Sequence, residues 1–391
     1  MENTVREVYN FSNNKIFKEG NRKPLKFKKL EGCHNNYEVM LPNGVKAFLK
    51  EGYGCTDYAD VISKRICDAI GIECAECELA IMQDFPSEKE ISLMSFDEHS
   101  QFCEKNFGIT DKTKLEESYF HYLEQYRQEK YKPALLSYDY CYREPYKSSQ
   151  IINLDKLVTK YCDMTNTENT FAIESFVKIA EIFTDKNNKL GKKLRKELKV
   201  KDNIELSPNF DLELKKIAVL GYVTCQTDMT RNNLHLALVK NKKGYELQVA
   251  PLFDNGESFN LSSIERNKEL SSYDVDQINS TSVSYGNSLV LTEGEGKDAE
   301  KQVESIAREI IKNPELSNFF NKLQNLDIAD MCEKENIGER DFDIIKYSVV
   351  SIYNQRVNSL TNEIQKQISN DIEYTDTYEE TMNINQDEFT F

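Results

Sequence analysis

The sequence predicts an α+β protein with a small half built on an antiparallel sheet and a larger, mainly helical half. Residues 31–96 alternate in the manner of short strands around a single helical segment. Most of residues 98–227, and again residues 298–368, repeat apolar side chains with helical spacing. A chain of 391 residues is long enough for such a division, because domains usually hold about 100–200 residues.

These composition changes predict four segments along the chain. We expect an N-terminal extension over 1–30, a sheet-rich lobe over 31–97, a helical lobe over 98–368 and a flexible acidic tail over 369–391.

The small lobe begins with a hairpin. YEVML alternates as a strand, Pro42-Asn43-Gly44 is a strong turn signal, and VKAFLK forms the second strand, which ends at Lys50. The segment DYADVISKRICDAIGIE then has helical spacing. CELAIMQ and ISLMSF are expected to follow as two further strands.

The helical lobe contains a second hairpin. The helix DLELKKIAVLGYVTCQ leads directly into TDMTRNN, after which LHLALVKNKKGYELQVAPLFDNG has the pattern of two strands and a closing turn. Residues 258–290 are rich in Ser, Asn and Thr and are predicted to form a loop. The basic run NNKLGKKLRKELKVK is interpreted as a solvated helix rather than a site for an acidic partner.

The charge balance excludes several classes of function. A formal net charge of −16 argues against general nucleic-acid binding and against attachment to anionic membranes. No apolar run approaches membrane-spanning length, and no signal peptide is visible. We therefore expect a cytoplasmic protein, with export as an effector left open. The ten cysteines are expected to be reduced, and Cys74 and Cys77 to pack rather than bind zinc.

Three polar residues near the middle of the chain suggest a site for chemistry. Asn233 and Asp254 lie at the two ends of the predicted second hairpin, so they should be neighbours. Two oxygen ligands, with phosphate oxygens completing the shell, suit Mg²⁺. Asp228, one loop away, could then accept the proton of an attacking hydroxyl group.

The small lobe offers groups that suit nucleotide phosphates. Lys50 ends a strand that follows a polar loop, and Asp60 on the next helix could hold its ammonium group in place. The backbone N–H groups of the loop EGCHNN could lie over phosphate oxygens.

The order of these motifs resembles that of the HipA-like serine/threonine kinases, the kinase part of bacterial toxin–antitoxin systems. The similarity runs from about Gly32 to Ser258 and is greatest to short members that keep only the kinase core. It depends on AFLKEGY, on DYADVISKRICDAIGIECAECELA, on TDMTRNN and on PLFDNGESF. The resemblance implies a bilobal protein-kinase-like fold and an enzyme that uses ATP and Mg²⁺.

The resemblance also implies a role for each matched residue. Asp228 would be the catalytic base, Asn233 and Asp254 the Mg²⁺ ligands, Lys50 the contact to the α- and β-phosphates, and Asp60 the acid of the helix. The nucleotide loop would consist of Gly32, Cys33, His34, Asn35 and Asn36. The junction from Met94 to Asp97, with Phe96 and Asp97 at its end, would read adenine through its backbone.

The implied activity is transfer of the γ-phosphate to a serine or threonine of a protein substrate, together with autophosphorylation. The sequence departs from the family in three places: Asp60 replaces a glutamate, Thr230 and Arg231 stand where relatives often carry His and Lys, and the phosphate loop has a single glycine. The first 30 residues leave no room for the N-terminal subdomain of the full toxins. An antitoxin partner, the toxin role and the oligomeric state therefore stay open.

Three other functions fit parts of the pattern. A pseudokinase or nucleotide-binding module would explain the thin glycine loop and the change at Asp60. A lipid or small-molecule kinase could use the same DxxxxN and DNG motifs, and a metal-dependent hydrolase could use the carboxylates but would give Lys50 no role. His34 is interpreted as a solvated loop residue, His235 as a packing residue, and Arg231 as either a phosphate contact or an exposed loop residue.

Overall fold

The chain divides into two compact units. The computed structural model describes residues 7–12, 15–18, 25–30, 36–51, 55–84, 95–120, 131–166, 172–200, 203–262, 289–291, 298–335 and 342–387. The first unit contains Met1–Asp57 and Glu76–Tyr142, and the second contains Tyr58–Ala75 and Arg143–Phe391.

The first unit is built on a seven-stranded sheet. The spatial order of its strands is β2-β1-β6-β7-β5-β4-β3. Five neighbouring strands, β6 to β3 in that order, are antiparallel, and the antiparallel pair β1–β2 joins them through a parallel pairing of β1 with β6. The strands are β1 (Glu7–Ser12), β2 (Lys15–Lys18), β3 (Lys26–Leu30), β4 (Asn36–Met40), β5 (Lys46–Glu51), β6 (Cys77–Asp84) and β7 (Tyr131–Tyr138).

The hairpin predicted around Pro42-Asn43-Gly44 is present and places Lys50. Gly44 has a φ of 81°, a conformation that glycine adopts without strain. The side chain of Asn43 accepts a hydrogen bond from the N–H of Val45 at 3.0 Å. In the resulting register Lys50 on β5 lies opposite Asn36 on β4.

One face of this sheet forms an apolar core, as the alternation along β4 and β5 predicts. Val39, Ala47 and Leu49 are fully buried there with residues of four other strands or strand ends. Outside this core, the Lys46 ammonium group contacts the Asp139 carboxylate at 2.8 Å. This hydrogen bond raises the pKa of Lys46, and with the N–H of Cys141 it lowers the pKa of Asp139 although burial opposes that change.

The sheet contains strands that the sequence does not predict. Strand β7 lies between β5 and β6, in a region where mainly helices are expected, and Pro133 within it weakens the strand pattern. Three strands lie within residues 1–30, the predicted extension. Most of the predicted strand ISLMSF falls outside the described residues; its last residue, Phe96, begins helix α2 (Phe96–Phe107).

The second unit combines most of the helices with a small sheet of order β8-β10-β11-β9. Its strands are β8 (Gln150–Asn153), β9 (Ile204–Leu206), β10 (His235–Lys240) and β11 (Tyr245–Val249). Its helices are α3 (Leu154–Thr165), α4 (Ile173–Thr184), α5 (Lys189–Glu197), α6 (Phe210–Val223), α7 (Ala299–Lys312), α8 (Pro314–Gln324), α9 (Ile328–Lys334) and α10 (Phe342–Asp387). The α+β class, with a sheet-rich and a helical part, is therefore confirmed.

Helix α1 (Cys55–Ile70), predicted as part of the sheet-rich lobe, groups with the helical unit from Tyr58 onward. The Tyr58 ring packs on Phe342 with 5.8 Å between centroids, and Arg65 donates to Glu335 at 2.6 Å. At its C-terminal end Lys322 donates to the carbonyl oxygen of Ile70 at 3.5 Å. Contacts spread along three turns therefore fix this helix to α8, α9 and α10 or the residues that follow them.

Helix α10 includes most of the predicted acidic tail, so residues 369–387 are helical rather than irregular. Among the helices in the described part of the chain, none has both the length and the apolar character that crossing a bilayer requires.

Helices α4 and α5 approach each other closely at Gly191. A Cβ atom at this position would overlap the carbonyl oxygen of Ile182 on α4. Arg195, one turn further along α5, is buried and donates to the carbonyl oxygen of Phe183. Only a residue without a side chain therefore allows these two helices their observed separation.

Replacing Gly191 with alanine should destabilise the protein, although helix propensity alone favours alanine by about 1 kcal/mol. We expect the backbone overlap to outweigh this gain in helix propensity and to lower the free energy of unfolding by about 1–3 kcal/mol. Urea unfolding measures the change, with Lys193→Ala on the exposed face of the same helix as the control. A Gly191→Ala protein at least as stable as the wild type would contradict the close approach.

Candidate functional site

The loop from Asp228 to Asn233 is closed by hydrogen bonds among its own residues. The side-chain amide of Asn233 donates to the carbonyl oxygen of Asp228 at 2.8 Å and to its carboxylate at 3.0 Å. The Thr230 N–H donates to the carbonyl oxygen of Asp228 at 2.7 Å, and the Asn233 N–H donates to the carbonyl oxygen of Thr230 at 3.0 Å. The Asp228 side chain is exposed. The structure therefore brings together the predicted base and one predicted metal ligand. The nitrogen of the Asn233 amide is used in hydrogen bonds to Asp228, and its oxygen is the atom suited to a metal.

This loop follows directly after the end of helix α6. Cys225 has a φ of 52°, and the N–H of Gln226 donates to the carbonyl oxygen of Gly221 at 2.8 Å, so the chain leaves the helix in a tight turn. The buried Arg356 of α10 lies over the Tyr222 ring at 4.6 Å and donates to the Cys225 sulfur at 3.5 Å. A packed helix end thus fixes the point from which Asp228 emerges.

Helix α3 supports the loop from its other side. The N–H groups of Leu154 and Asp155 donate to the carbonyl oxygens of Leu234 and Arg231 at 3.0 and 3.2 Å. These are first-turn N–H groups, which have no acceptor within their own helix. The loop carbonyls therefore complete the helix terminus, and the helix in turn fixes the loop.

Arg231 is ion-paired within this support. Its guanidinium group contacts the Asp155 carboxylate at 3.1 Å, and its side chain is 18% exposed. This pairing anchors the loop to α3, so Arg231 is not the exposed loop residue of one interpretation, while its contact with phosphate stays a prediction.

Asp254 occupies the turn that follows the second hairpin. It is exposed and has a φ of 58°, in the left-handed region. Two residues earlier, Leu252 pairs with the segment after α1: its N–H donates to Glu73, and its carbonyl accepts from Ala75 at 2.7 Å. Residue 254 is therefore held at the surface of the second unit by a strand-like pairing beneath it.

Gln226 connects the two parts of the site. Its side-chain oxygen accepts a hydrogen bond from the Asp228 N–H at 3.2 Å, and its side-chain nitrogen donates to the carbonyl oxygen of Asp254 at 3.4 Å. The residue is 2% exposed. One buried amide thus links the backbone of the predicted base to that of the predicted metal ligand. No local pattern in the sequence distinguishes this glutamine, in TCQTD, from an ordinary loop residue.

Asp60 also contacts this turn. Its carboxylate accepts a hydrogen bond at 2.5 Å from the N–H of Asn255, the residue after Asp254. Asp60 and Asn255 are 7% and 5% exposed. The pairing of Asp60 with Lys50 stays a prediction, because Lys50 belongs to the first unit. The contact that the structure does establish is between helix α1 and the turn that contains Asp254.

Cys74 lies beneath the same turn. The Asn255 side chain donates to its sulfur at 3.7 Å. A hydrogen bond with Cys67 and then burial raise the pKa of the Cys74 thiol, so it stays protonated at neutral pH. Cys77 is half-buried on β6. Within the described ranges no group of three or more His, Cys, Asp or Glu side chains could hold a metal.

His235 follows the loop on β10 and packs on the residue before Asp254. Its ring lies 4.5 Å from the Phe253 ring, centroid to centroid. Burial and then the nearby charge of Lys156 lower its pKa. These contacts agree with the packing role expected from the sequence.

The predicted nucleotide-binding residues lie in the first unit and are only partly described. Lys50 is half-buried on β5. Gly32, Cys33, His34, Asn35 and Met94 fall outside the described residues. Phe96 and Asp97 form the first turn of α2, whose N-cap is Ser95, and the Phe96 ring contacts Tyr119 edge-on at 5.5 Å. The predicted adenine contact is therefore a helix start rather than an extended strand.

The chemistry of the donor set fits Mg²⁺. Asn233 offers an amide oxygen and Asp254 a carboxylate, and Mg²⁺ in nucleotide sites takes one or two protein oxygens, with phosphate oxygens and water completing its shell. The two residues are linked through Asp228 and Gln226 by the hydrogen bonds described above.

Comparison with known proteins finds similarity only among solved structures. No family model matches the sequence, and no curated protein matches it. The Helicobacter pylori proinflammatory kinase CtkA aligns over 86% of this chain and 94% of its own, at 13% identity and a TM-score of 0.47. A Shewanella oneidensis MR-1 toxin–antitoxin structure of HipA, HipB and operator DNA aligns over 86% and 67%, at 10% identity and a TM-score of 0.42.

Replacing Gln226 with leucine should destabilise the site and the protein. The change leaves the Asp228 N–H and the Asp254 carbonyl without their buried partner, which should cost about 1–3 kcal/mol of unfolding free energy. Hydrogen exchange should become faster at residues 226–233 and 252–256. The exposed Gln324→Leu is the matched control. Unchanged exchange in both segments of the Gln226 variant would show that the amide does not link them.

Acidification should weaken the folded state through His235. Because its pKa in the folded protein is below that in the unfolded chain, the unfolded chain takes up the proton first. This contribution to stability is therefore complete above the unfolded pKa of about 6.5 and decreases as pH falls below it. Urea midpoints between pH 8 and 5 should decrease less in His235→Gln than in the wild type. Equal slopes for the two proteins would contradict the assignment.

Proposed function

We propose that the protein is an ATP- and Mg²⁺-dependent kinase that transfers the γ-phosphate to a serine or threonine hydroxyl of a protein. The observation that carries the proposal is the hydrogen-bonded set in the second unit, in which Asn233 binds Asp228 and Gln226 joins Asp228 to Asp254. A base next to metal-ligand oxygens is the arrangement that phosphoryl transfer requires.

Each residue has one role in this proposal. Asp228, exposed on its loop, orients the substrate hydroxyl and accepts its proton. The Asn233 amide oxygen and the Asp254 carboxylate hold Mg²⁺, which when bound neutralises charge on the phosphate oxygens. Gln226 sets the spacing of the base and the metal-ligand turn, because catalysis of this type depends on positioning. Asp60 fixes the backbone next to Asp254.

The first unit would supply the nucleotide contacts. Lys50 would contact the α- and β-phosphates, with the loop Gly32 to Asn36 over them and the start of α2 at Phe96 and Asp97 near adenine. Autophosphorylation, and a role in a toxin–antitoxin pair or as an effector, belong to the same proposal. The protein substrate is not identified by any residue pattern.

A nucleotide-binding module without transfer activity is the second candidate. It is favoured by the Asp60 carboxylate, because one of its oxygens accepts a hydrogen bond from the Asn255 N–H. Such a protein would be stabilised by nucleotide and Mg²⁺ but would transfer no phosphate.

Substitution of the base or of the metal ligand should abolish phosphate transfer. We expect Asp228→Asn and Asp254→Asn to reduce labelling of the protein itself, or of a generic protein acceptor, from radioactive ATP by at least about 10²-fold. Asp163→Asn, an exposed carboxylate on α3, is the control and should label as the wild type does.

Two results would contradict the enzymatic proposal. Equal labelling by the wild type and both variants would remove Asp228 and Asp254 from the site. Thermal stabilisation of the wild type by ATP and Mg²⁺ with no labelling of any acceptor would favour the binding module.

A further inference from the structure

Lysines dominate the exposed face of helix α5, with Glu197 as an exposed acidic residue on the same side. Lys189, Lys192, Lys193 and Lys196 follow one another at spacings of three, one and three residues, which places them on one side of the helix, and all four are exposed. The opposite side is buried through Gly191, Leu194 and Arg195. We call these four lysines, together with Lys199, Lys240, Lys242 and Lys243, the lysine surface.

The lysine surface continues onto the turn of the β10–β11 hairpin. The Asn203 side chain donates to the carbonyl oxygen of Lys243 at 2.7 Å, and its own carbonyl accepts from the Tyr245 N–H at 3.1 Å. Asn203 is only four residues beyond Lys199, so at most roughly 14 Å of chain separates them. This part of the lysine surface consists of the exposed Lys199, Lys240, Lys242 and Lys243.

Within the described part of the chain these eight ammonium groups have no carboxylate partner. Elsewhere in the same unit Lys215, Lys216, Lys334 and Lys346 each contact a carboxylate at 3.0 Å or less. Lysines three and four residues apart on one helix face repel each other. Glu197 forms no ion pair with these lysines within the described residues, so the lysine surface keeps a net positive charge that suits an external anion.

The acidic partner that fits is present in the chain itself. Residues 371–388 contain seven Asp and Glu residues and no Lys or Arg, whereas the segment 185–200 contains seven basic and two acidic residues. The formal charge of the whole chain is −16, so the lysine surface is the local exception.

The helical form of this acidic segment favours contact with another copy. Helix α10 is continuous from Phe342 to Asp387. Near Gln367, whose side chain donates to the Glu304 carbonyl oxygen at 3.0 Å, it still packs on α7. The 17 residues from 371 to 387 extend about 25 Å beyond this region. A continuous helix that has passed its contact with α7 favours a partner outside its own unit.

We propose that the acidic segment 371–388 of one copy binds the lysine surface of a second copy. Reciprocal exchange of the two segments closes a dimer with two identical contacts. The contact is electrostatic, so it weakens as salt screens it. It depends on neither ATP nor transfer activity, and its test is independent of the proposed function.

The composition of the lysine surface disfavours nucleic acid and membrane as occupants. Its exposed residues include no arginine and no aromatic side chain on which bases could stack. The apolar side of α5 is buried, so no apolar side chain is available to enter a lipid surface. An acidic protein segment can bind through the ammonium groups of the exposed lysines alone.

Charge exchange between the two segments tests the proposal in the full-length protein. Sedimentation velocity in 50 mM salt should show a dimer whose dissociation constant rises at least about tenfold in 300 mM salt. Reversal of the four α5 lysines to glutamate should give a monomer, as should reversal of four tail acids to lysine. Combining both sets should restore the dimer. The tail substitutions are Glu373→Lys, Asp376→Lys, Glu379→Lys and Glu380→Lys.

The matched control changes the same amount of charge elsewhere. It carries glutamate in place of four exposed lysines outside the lysine surface, and it should remain dimeric. These are Lys28, Lys105, Lys147 and Lys312. A monomeric wild type in low salt, or a combined variant that stays monomeric while circular dichroism shows it folded, would overturn the proposal. So would a wild type that binds RNA or anionic vesicles through the α5 lysines in preference to a second copy.

Discussion

The site depends on one buried amide, that of Gln226. A side chain that is 2% exposed must find partners for both its oxygen and its nitrogen, since an unpaired polar group in such a place is costly. It finds them in the backbones of Asp228 and Asp254, 26 residues apart in the chain. The burial of this amide therefore also fixes the spacing between the backbones of Asp228 and Asp254, the proposed base and the proposed metal ligand.

The same principle extends to helix α1. The Asp60 carboxylate accepts the N–H of Asn255, and the strand-like pairing of Leu252 with the chain after α1 lies directly beneath. The rings of Tyr58 and Phe342 and the ion pair of Arg65 with Glu335 anchor the outer side of the helix. The turn that contains Asp254 is thus attached to a helix that is itself attached to the C-terminal helices. A change at the packing of α1 would therefore reach the Asp254 turn through the Asp60–Asn255 hydrogen bond and through the Leu252 pairing.

The sequence predicts what local patterns encode. Alternation and the Pro-Asn-Gly turn predict the β4–β5 hairpin, and helical spacing predicts α1, because each depends on neighbouring residues alone. Strand β7 escapes prediction since Pro133 and an irregular pattern hide a strand whose partners, β5 and β6, come from elsewhere in the chain. Motif order places Asp228 and Asn233 together. The contacts of Gln226 and of Asp60 with the Asp254 turn are tertiary hydrogen bonds, and such bonds leave no periodic trace in a sequence.

A crystal structure with Mg²⁺ and a non-hydrolysable ATP analogue tests the central claim most directly. The account predicts one metal ion within about 2.0–2.1 Å of both the Asn233 amide oxygen and an Asp254 carboxylate oxygen, with the terminal phosphate facing Asp228. It also predicts that the Gln226 hydrogen bonds persist in that complex. A metal bound to other residues, or nucleotide density remote from Asp228 and Asp254, would contradict the account.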